Sequence, residues 1–252
     1  MITKNELKYY SSLLQKKHRI REMKFIAEGI KIIEEGIENN WQTEIVFITQ
    51  DFADSNPDFI DKLKFNNRLY QFLNDKDFSK ICDTVNPQKV AAVFISPRNE
   101  IKSKVNLIVA LEDVSDPGNL GAIIRNCDWF NIKEIILSEN CAELYNPKTL
   151  RSAMGSIFHL NIVENIDLIS QLSILRKKGY QITTADLAGE NVFESNPSGK
   201  SIIVFSNEAR GPSNELLSIS DKIIAIPRYG KAESLNVASA SAIILSCLVP
   251  KN

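Results

Sequence analysis

The chain is poor in the residues on which hydrolytic, redox and metal chemistry usually rest. Its two histidines, His18 and His159, fall in unrelated contexts, so neither a histidine-based triad nor a histidine metal site is expected. Its four cysteines, Cys82, Cys127, Cys141 and Cys247, are scattered and show no C-x-x-C spacing. A zinc site or a disulfide framework is therefore not expected, and a reducing cytoplasm is the default compartment. There is no G-x-G-x-x-G, no Walker A loop and no G-x-S-x-G. Dinucleotide, nucleoside-triphosphate and serine-hydrolase chemistry thus lack their usual motifs. The N-terminus has no apolar signal region, and the longest apolar run, 237–249, is broken by Ser239, Ser241 and Ser246. That run reads as a core helix and no membrane association is expected.

A charge imbalance is also missing. Thirty Lys plus Arg face 31 Asp plus Glu, a net charge of −1, so any polyanionic partner must be met by a local patch. One patch is visible. Between Lys4 and Lys31 stand eight basic residues against three acidic ones, Glu6, Glu22 and Glu28.

At 252 residues with 44% hydrophobic content, the chain has room for two domains and a sizeable core. Leu7, Tyr10, Leu13 and Leu14 follow helical spacing, and Ile30, Ile33 and Ile37 mark a second helix. The segment between them, His18–Phe25, reads as a basic loop leading to a strand or short turn. Strand-like runs at 44–49, 68–73 and 89–96 alternate with helical segments near 59–63 and 75–82. The stretch 97–104 is polar, contains Pro97 and lacks periodicity, which makes it the expected linker. Beyond it the βα rhythm restarts: strand 105–111, helix 120–130, strand 134–137 and a helix after Pro147. Strands at 157–163, 181–185, 201–205 and 222–226 follow, with a helix at 166–178 and another to close the chain. This alternation predicts a mostly parallel sheet with helices on both faces, and ligands gather at the C-terminal ends of such strands.

Four stretches carry candidate chemistry. In Glu112–Asn126 an apolar strand runs through Pro117–Gly118 into a helix for which Asn119 is a plausible N-cap. Arg125 lies four residues after Gly121, so it leans back toward unpaired helix amides that could take a phosphate. A capped helix with a solvated arginine fits the same residues equally well. In Tyr145–Gly155, Lys148, Arg151 and Ser152 could face a nucleic-acid backbone, although a short helix ending at Gly155 explains the stretch by itself. In Val204–Ser213, Glu208 could accept a proton, bind a hydroxyl or pair with Arg210, and a plain surface loop is the simpler reading. In Ile226–Val237, Ser234 and Asn236 stand at the mouth of the last helix as caps or as ligand groups.

Order and spacing change the weighing. N-L-G-A-I-I-R at 119–125, R-S-A-M-G at 151–155, N-E-A-R-G at 207–211 and I-P…S-L-N-V at 226–237 together resemble the SpoU, or TrmH-like, RNA 2′-O-ribose methyltransferases of the SPOUT superfamily. The resemblance covers about residues 105–249. It implies an α/β fold whose mostly parallel C-terminal sheet is threaded into a deep trefoil knot. More loosely, the first hundred residues resemble the small α/β substrate-binding domain that several members carry. The implied organisation is a small α/β RNA substrate-binding domain at 1–96, a linker at 97–104 and the knotted methyltransferase domain at 105–252.

By position, the resemblance assigns Arg125 to activation of the ribose hydroxyl, with Asn119 beside it. Glu208, Ser234 and Asn236 fall in the family's polar active-site set. Ser206, Ile226 and Leu235 match positions whose backbones contact the methyl donor, S-adenosylmethionine, and Asn207 and Gly211 complete the expected donor-binding set. The RNA-binding residues expected are Lys17, Arg19, Arg21 and Lys24 of the basic stretch, with Arg125 and Arg151. No metal is implied. Ser206 departs from a common Gly, and Arg228–Tyr229 replaces an apolar residue and its neighbour after Ile-Pro.

The resulting expectation is S-adenosylmethionine-dependent 2′-O-methylation of structured RNA by a cytoplasmic homodimer, with 23S rRNA favoured. Transfer RNA as substrate and a non-catalytic RNA-binding protein are the alternatives.

Overall fold

The computed structural model describes residues 2–102, 104–195 and 199–249. Ser103 of the expected linker lies outside them, as do residues 1, 196–198 and 250–252 of the expected domain spans. The chain divides into two compact units. The first comprises Met1–Arg98 together with Tyr145–Phe158, and the second comprises Asn99–Leu144 together with His159–Asn252.

In the first unit, helices α1 (Lys4–Ser12) and α2 (Lys16–Glu22) precede strand β1 (Lys24–Glu28). Helix α3 (Ile30–Glu38), β2 (Thr43–Ile48), α4 (Gln50–Ser55), α5 (Pro57–Phe65), β3 (Tyr70–Phe72), α6 (Asp75–Phe78) and β4 (Val90–Ile95) follow. The strands form one sheet in the order β1-β4-β2-β3. Strand β4 runs antiparallel to both β1 and β2, while β3 is parallel to β2. The basic stretch 18–25 is helix α2 running into β1: the strand matches the expectation, and a helix stands where a loop was expected before it. The break comes instead at Met23, which takes a left-handed conformation (φ 52°) and closes the helix.

The second unit begins its regular structure with β5 (Leu107–Glu112), α7 (Pro117–Trp129) and β6 (Glu134–Ser138). Helix α8 (Pro147–Ala153) belongs to the first unit. Strand β7 (Asn161–Ile166), α9 (Leu168–Lys177), β8 (Gln181–Asn191), β9 (Ser201–Ser206), α10 (Asn214–Ile219), β10 (Lys222–Ala225) and α11 (Val237–Leu248) complete the second unit. Among the described residues the sheet has six strands in the order β10-β8-β9-β5-β6-β7, and each paired neighbour is parallel. Its central strands are continuous apolar runs, as burial on both faces requires: Ile108–Leu111 and Ile202–Phe205 are essentially inaccessible. The mostly parallel α/β sheet expected from the sequence is therefore present.

Three details depart from the sequence reading. The R-S-A-M-G stretch packs with the first unit. Helix α8 ends there at Met154 (φ 51°), and Gly155 follows at φ +95°. A Cβ on Gly155 would also lie 2.7 Å from Cγ of Glu35, so a side chain is barred by conformation and by space. The expected strand at 157–163 begins only at Asn161, because Ser156–Phe158 forms a 3₁₀ turn. Strand β8 continues to Asn191, beyond the expected 185. Its pairing with β10 jumps from Thr184 to Glu190 between Ile223 and Ile224, leaving the residues between as a bulge. A Cβ on Gly189 in that bulge would lie 2.5 Å from the Ile224 backbone, so only glycine permits the approach.

The expected linker is anchored rather than free. Asn99 Nδ2 donates to the Ile162 carbonyl at 2.9 Å, Asn161 Nδ2 donates to the Glu100 carbonyl at 2.9 Å, and the Lys102 amide reaches Glu134 Oε1 at 2.7 Å. Residues 99–102 thus run along the second unit.

Candidate active site

The C-terminal ends of β5 and β9 lie side by side, with Glu112 opposite Ser206. Each strand then feeds a polar segment. After β5 the chain turns through Asp113 (φ 56°) into α7. Asp116, not Asn119, is the N-cap, accepting the Asn119 amide at 2.9 Å, and Pro117 occupies the first turn. This correction matters because it leaves the Asn119 side chain available.

That side chain is used. Asn119 Nδ2 donates to Glu208 Oε1 in the loop after β9. Asn236 Nδ2 donates to Asn119 Oδ1 at 2.9 Å and lies 3.4 Å from Glu208 Oε1. The other face of Asn236 caps α11, its Oδ1 accepting the amides of Ala238 at 2.9 Å and Ser239 at 3.3 Å. Asn236 is therefore both the cap and a member of the polar cluster, so the two readings offered by the sequence coexist. Three residues up to 117 positions apart in sequence meet around one carboxylate. Behind them α7 packs on α11, where Asn126 Nδ2 bonds the Ala238 carbonyl and Ser241 Oγ, both at 2.9 Å.

Glu208 also lines a cavity of about 550 Å³ formed by the bulge of β8, the loop 206–212 and the loop 226–235. Such a volume lies within the range for small-molecule sites. Its apolar wall includes Leu187, Ile226, Leu235 and Ile244, and its acidic groups include Asp186 and Glu233. Apolar walls with a few carboxylates suit a ligand that combines a flat ring system with positive charge. Ser206, Asn207, Gly211 and Ser234 lie on the same wall. The Asn207 side chain is engaged in shaping its own loop: Nδ2 bonds the Asp113 carbonyl at 3.0 Å, while Oδ1 accepts the Ala209 and Arg210 amides at 2.9 and 3.2 Å. Arg228 donates to the Ala232 carbonyl at 3.4 Å and Tyr229 is 92% exposed at the cavity. Asp186 and Leu187 were not singled out from the sequence. The signal was Gly189, an isolated glycine in a strand pattern that marks a bulge.

Arg125 stands apart from the cluster. It is exposed on α7, and among the described residues its side chain has no hydrogen-bond or ion-pair partner. Trp129, one turn further along α7, is 85% exposed. The cysteines offer no alternative nucleophile near the strand ends. Burial pushes the Cys141 thiol above its ordinary value, and its Sγ donates to the Leu111 carbonyl at 3.3 Å.

The cations expected to meet RNA in the first unit fare unequally. Arg19 is 5% exposed and donates Nη1 to the Leu13 carbonyl at 2.8 Å, so it braces the α1–α2 turn and is withdrawn as an RNA contact. Lys24 pairs with Glu44 and bonds Tyr9 Oη at 3.1 Å. Arg151 pairs with Asp83 at 2.9 Å, and Arg21 pairs with its neighbour Glu22 at 2.7 Å. Lys17 is exposed.

A model of the SpoU rRNA Methylase family matches residues 106–246, which hold the whole Asn119–Glu208–Asn236 cluster. The chain belongs to that family. A second model, of an MRM3-like substrate binding domain, matches residues 4–92 of this SpoU member. Over 241 residues it is 30% identical to a 23S rRNA (guanosine(2553)-2′-O)-methyltransferase of Bacillus subtilis, spanning 95% of this chain and 94% of that protein. It is also similar to the structure of an AdoMet-bound rRNA methyltransferase from Sinorhizobium meliloti, with a TM-score of 0.85 and 28% identity, covering 98% and 95% of the two chains. The SpoU methyltransferase AviRb from Streptomyces viridochromogenes, at TM-score 0.87 but 24% identity over 98% and 97% of the chains, supports the fold alone.

Proposed function

We propose that this SpoU methylase transfers a methyl group from S-adenosylmethionine to a ribose 2′-hydroxyl of structured RNA, with 23S rRNA as its substrate. The observation that carries the reading is the meeting of Asn119, Glu208 and Asn236, from three separate motifs, beside a cavity that fits the methyl donor. When bound, S-adenosylmethionine supplies an electrophilic methyl group. The residues proposed to hold it are Ser206, Asn207, Gly211, Ile226 and Leu235, a reading supported by their lining the cavity together with Ser234.

The chain's own contribution is positioning and charge. Arg125 remains protonated at neutral pH, so it serves as a phosphate clamp rather than a free base. Its lack of an internal partner leaves both edges of the guanidinium available to a phosphate. Held beside that phosphate, the 2′-hydroxyl loses its proton more readily, the phosphate oxygen being the acceptor. Glu208, fixed by two asparagine amides, orients the ribose. Excluding water and aligning the reacting groups then supply much of the rate.

The reading includes a trefoil knot and a homodimer, both features of the family the chain belongs to. Lys17, with Arg21 and Lys24 but without the buried Arg19, supplies the proposed RNA contacts of the basic stretch. A cytoplasmic location accords with four free thiols and with a ribosomal substrate. Among the described residues no helix is long and apolar enough to cross a membrane.

The test is to incubate the protein with radiolabelled methyl donor and total rRNA and tRNA, then map the modified ribose. Label in a 2′-O-methylated 23S nucleotide is expected. Label confined to tRNA would move the substrate assignment, and label in protein or small molecules without any in RNA would overturn the reading.

A further inference from the structure

Glu112 ends β5, is half-buried, and takes no part in the cluster around Glu208. Its carboxylate is nonetheless fully engaged. Oε2 accepts Ser206 Oγ at 2.9 Å and the Ser213 amide at 3.1 Å, while Oε1 accepts Ser213 Oγ at 2.6 Å. Ser206 is the last residue of β9 and Ser213 is the N-cap of α10. One carboxylate therefore grips both ends of the segment 207–212, which carries Glu208.

Elsewhere the segment is held at its start, where Asn207 Nδ2 reaches the Asp113 carbonyl at 3.0 Å, and at Glu208, which meets Asn119 and Asn236; its other bonds are internal. Asn207 holds the first turn through its own Oδ1, and the Gly211 amide returns to the Asn207 carbonyl at 2.9 Å. These bonds shape the turn but do not tie its far end to the sheet. Glu112 does so through Ser213. Bonds to a charged acceptor are about twice as strong as neutral ones, and three donors satisfy a half-buried carboxylate without a cation.

We infer that Glu112 is a positioning residue: it staples the 206–213 loop to β5, and so fixes Glu208 against Asn119 and the wall of the cavity. Ser206 then has a purpose that glycine could not serve, since its hydroxyl is one of the three donors. The inference deepens the methyl-donor reading of this site and rests on it for its second readout.

The experiment compares wild type with Glu112→Ala, Glu112→Gln, Ser206→Ala and the double variant Glu112→Ala/Ser206→Ala. Amide hydrogen exchange is measured without ligand, and S-adenosylmethionine binding by calorimetry. In Glu112→Ala the Ser213, Ala209 and Arg210 amides should exchange roughly tenfold faster or more, with amides of β5 and α7 unchanged. Donor Kd should rise by roughly tenfold. Glu112→Gln keeps one acceptor oxygen and should fall between, which preserves the test if the alanine variant folds poorly. Ser206→Ala alone should be milder and should add nothing in the Glu112→Ala background, because the single bond it removes is one of the three already lost there. A folded Glu112→Ala protein with wild-type loop exchange and donor affinity would overturn the inference, as would strictly additive effects. If wild type binds no donor, the functional reading fails, and the exchange data still decide whether Glu112 holds the loop.

Discussion

The cations expected to meet RNA are held differently in the two units. In the first, four of the five are engaged within the fold, Arg19 on a backbone carbonyl, Arg21 on Glu22, Lys24 on Glu44 and Arg151 on Asp83, while Lys17 is exposed. In the second, Arg125 sits exposed on α7 with no partner among the described residues, one helical turn after a buried glycine. Counting basic residues points to the first unit, whereas partnering singles out Arg125, the cation to which the proposed function gives the phosphate. A cation already bonded in the fold must lose that bond before it can serve RNA, whereas an exposed one loses only water.

The sharpest way to break this contrast is Arg125→Ala. Methyl transfer should fall by about a hundredfold to a thousandfold or more, while donor Kd stays within about twofold, as measured by single-turnover assays and calorimetry. Full activity in this variant would show that the unpartnered cation is not the working one.

Next in size is the segment 145–158. Its Tyr145 ring stacks on Phe25 with centroids 4.3 Å apart, and its Phe158 packs 5.0 Å from both Phe94 and Trp41. Trp41 Nε1 also bonds the Phe158 carbonyl at 3.1 Å. Tyr145→Ala should destabilise the first unit by about 3–5 kcal/mol. Amides of β1 and β4 should lose exchange protection while those of β5 and β9 keep theirs. Equal losses in both sheets would mean that the segment is not part of the first unit's core.

A smaller effect separates structural from RNA-facing cations inside the basic stretch. Arg19→Met leaves the Leu13 carbonyl without its partner and should lower stability by about 1–3 kcal/mol, with little change in the salt dependence of RNA binding. Lys17→Ala should do the reverse: stability within about 0.5 kcal/mol of wild type, and a salt slope reduced by about one. Filter binding at several salt concentrations, paired with thermal unfolding, reads both.

The contrast also explains what the sequence could and could not reveal. Strands β5 and β9 were legible because burial on both faces leaves unbroken apolar runs, and α11 because its apolar run begins right after Asn236. The meeting of Asn119, Glu208 and Asn236 was legible only through the order of four motifs, since no periodicity links residues so far apart. The N-cap of α7 was misplaced by three residues, because Asp116 and Asn119 are equally good cap types and only geometry chooses between them. Arg19 was misread for a related reason. A guanidinium in a basic run looks solvated, and its burial depends on a turn at Leu13 that the pattern does not encode. Glu112 and the β8 bulge escaped because their partners, Ser206, Ser213 and Ile224, are brought near by sheet order alone.

The last comparison concerns Asn236, where cap and site share one side chain. Alanine removes the acceptor for the Ala238 and Ser239 amides, so Asn236→Ala should lose about 1 kcal/mol of stability as well as activity, which leaves the two roles mixed. Asn236→Asp separates them. Aspartate caps a helix as well as asparagine and adds a favourable charge at the N-terminus of α11, so the melting temperature should stay within a few degrees of wild type. The donor that now faces Asn119 Oδ1 and Glu208 Oε1 becomes a carboxylate oxygen, and two like charges then oppose each other across 3.4 Å. Methyl transfer should therefore fall by about tenfold or more with the helix intact. Activity retained in Asn236→Asp would make Asn236 a cap alone, and would shift the orienting role onto Asn119, whose amide also reaches Glu208.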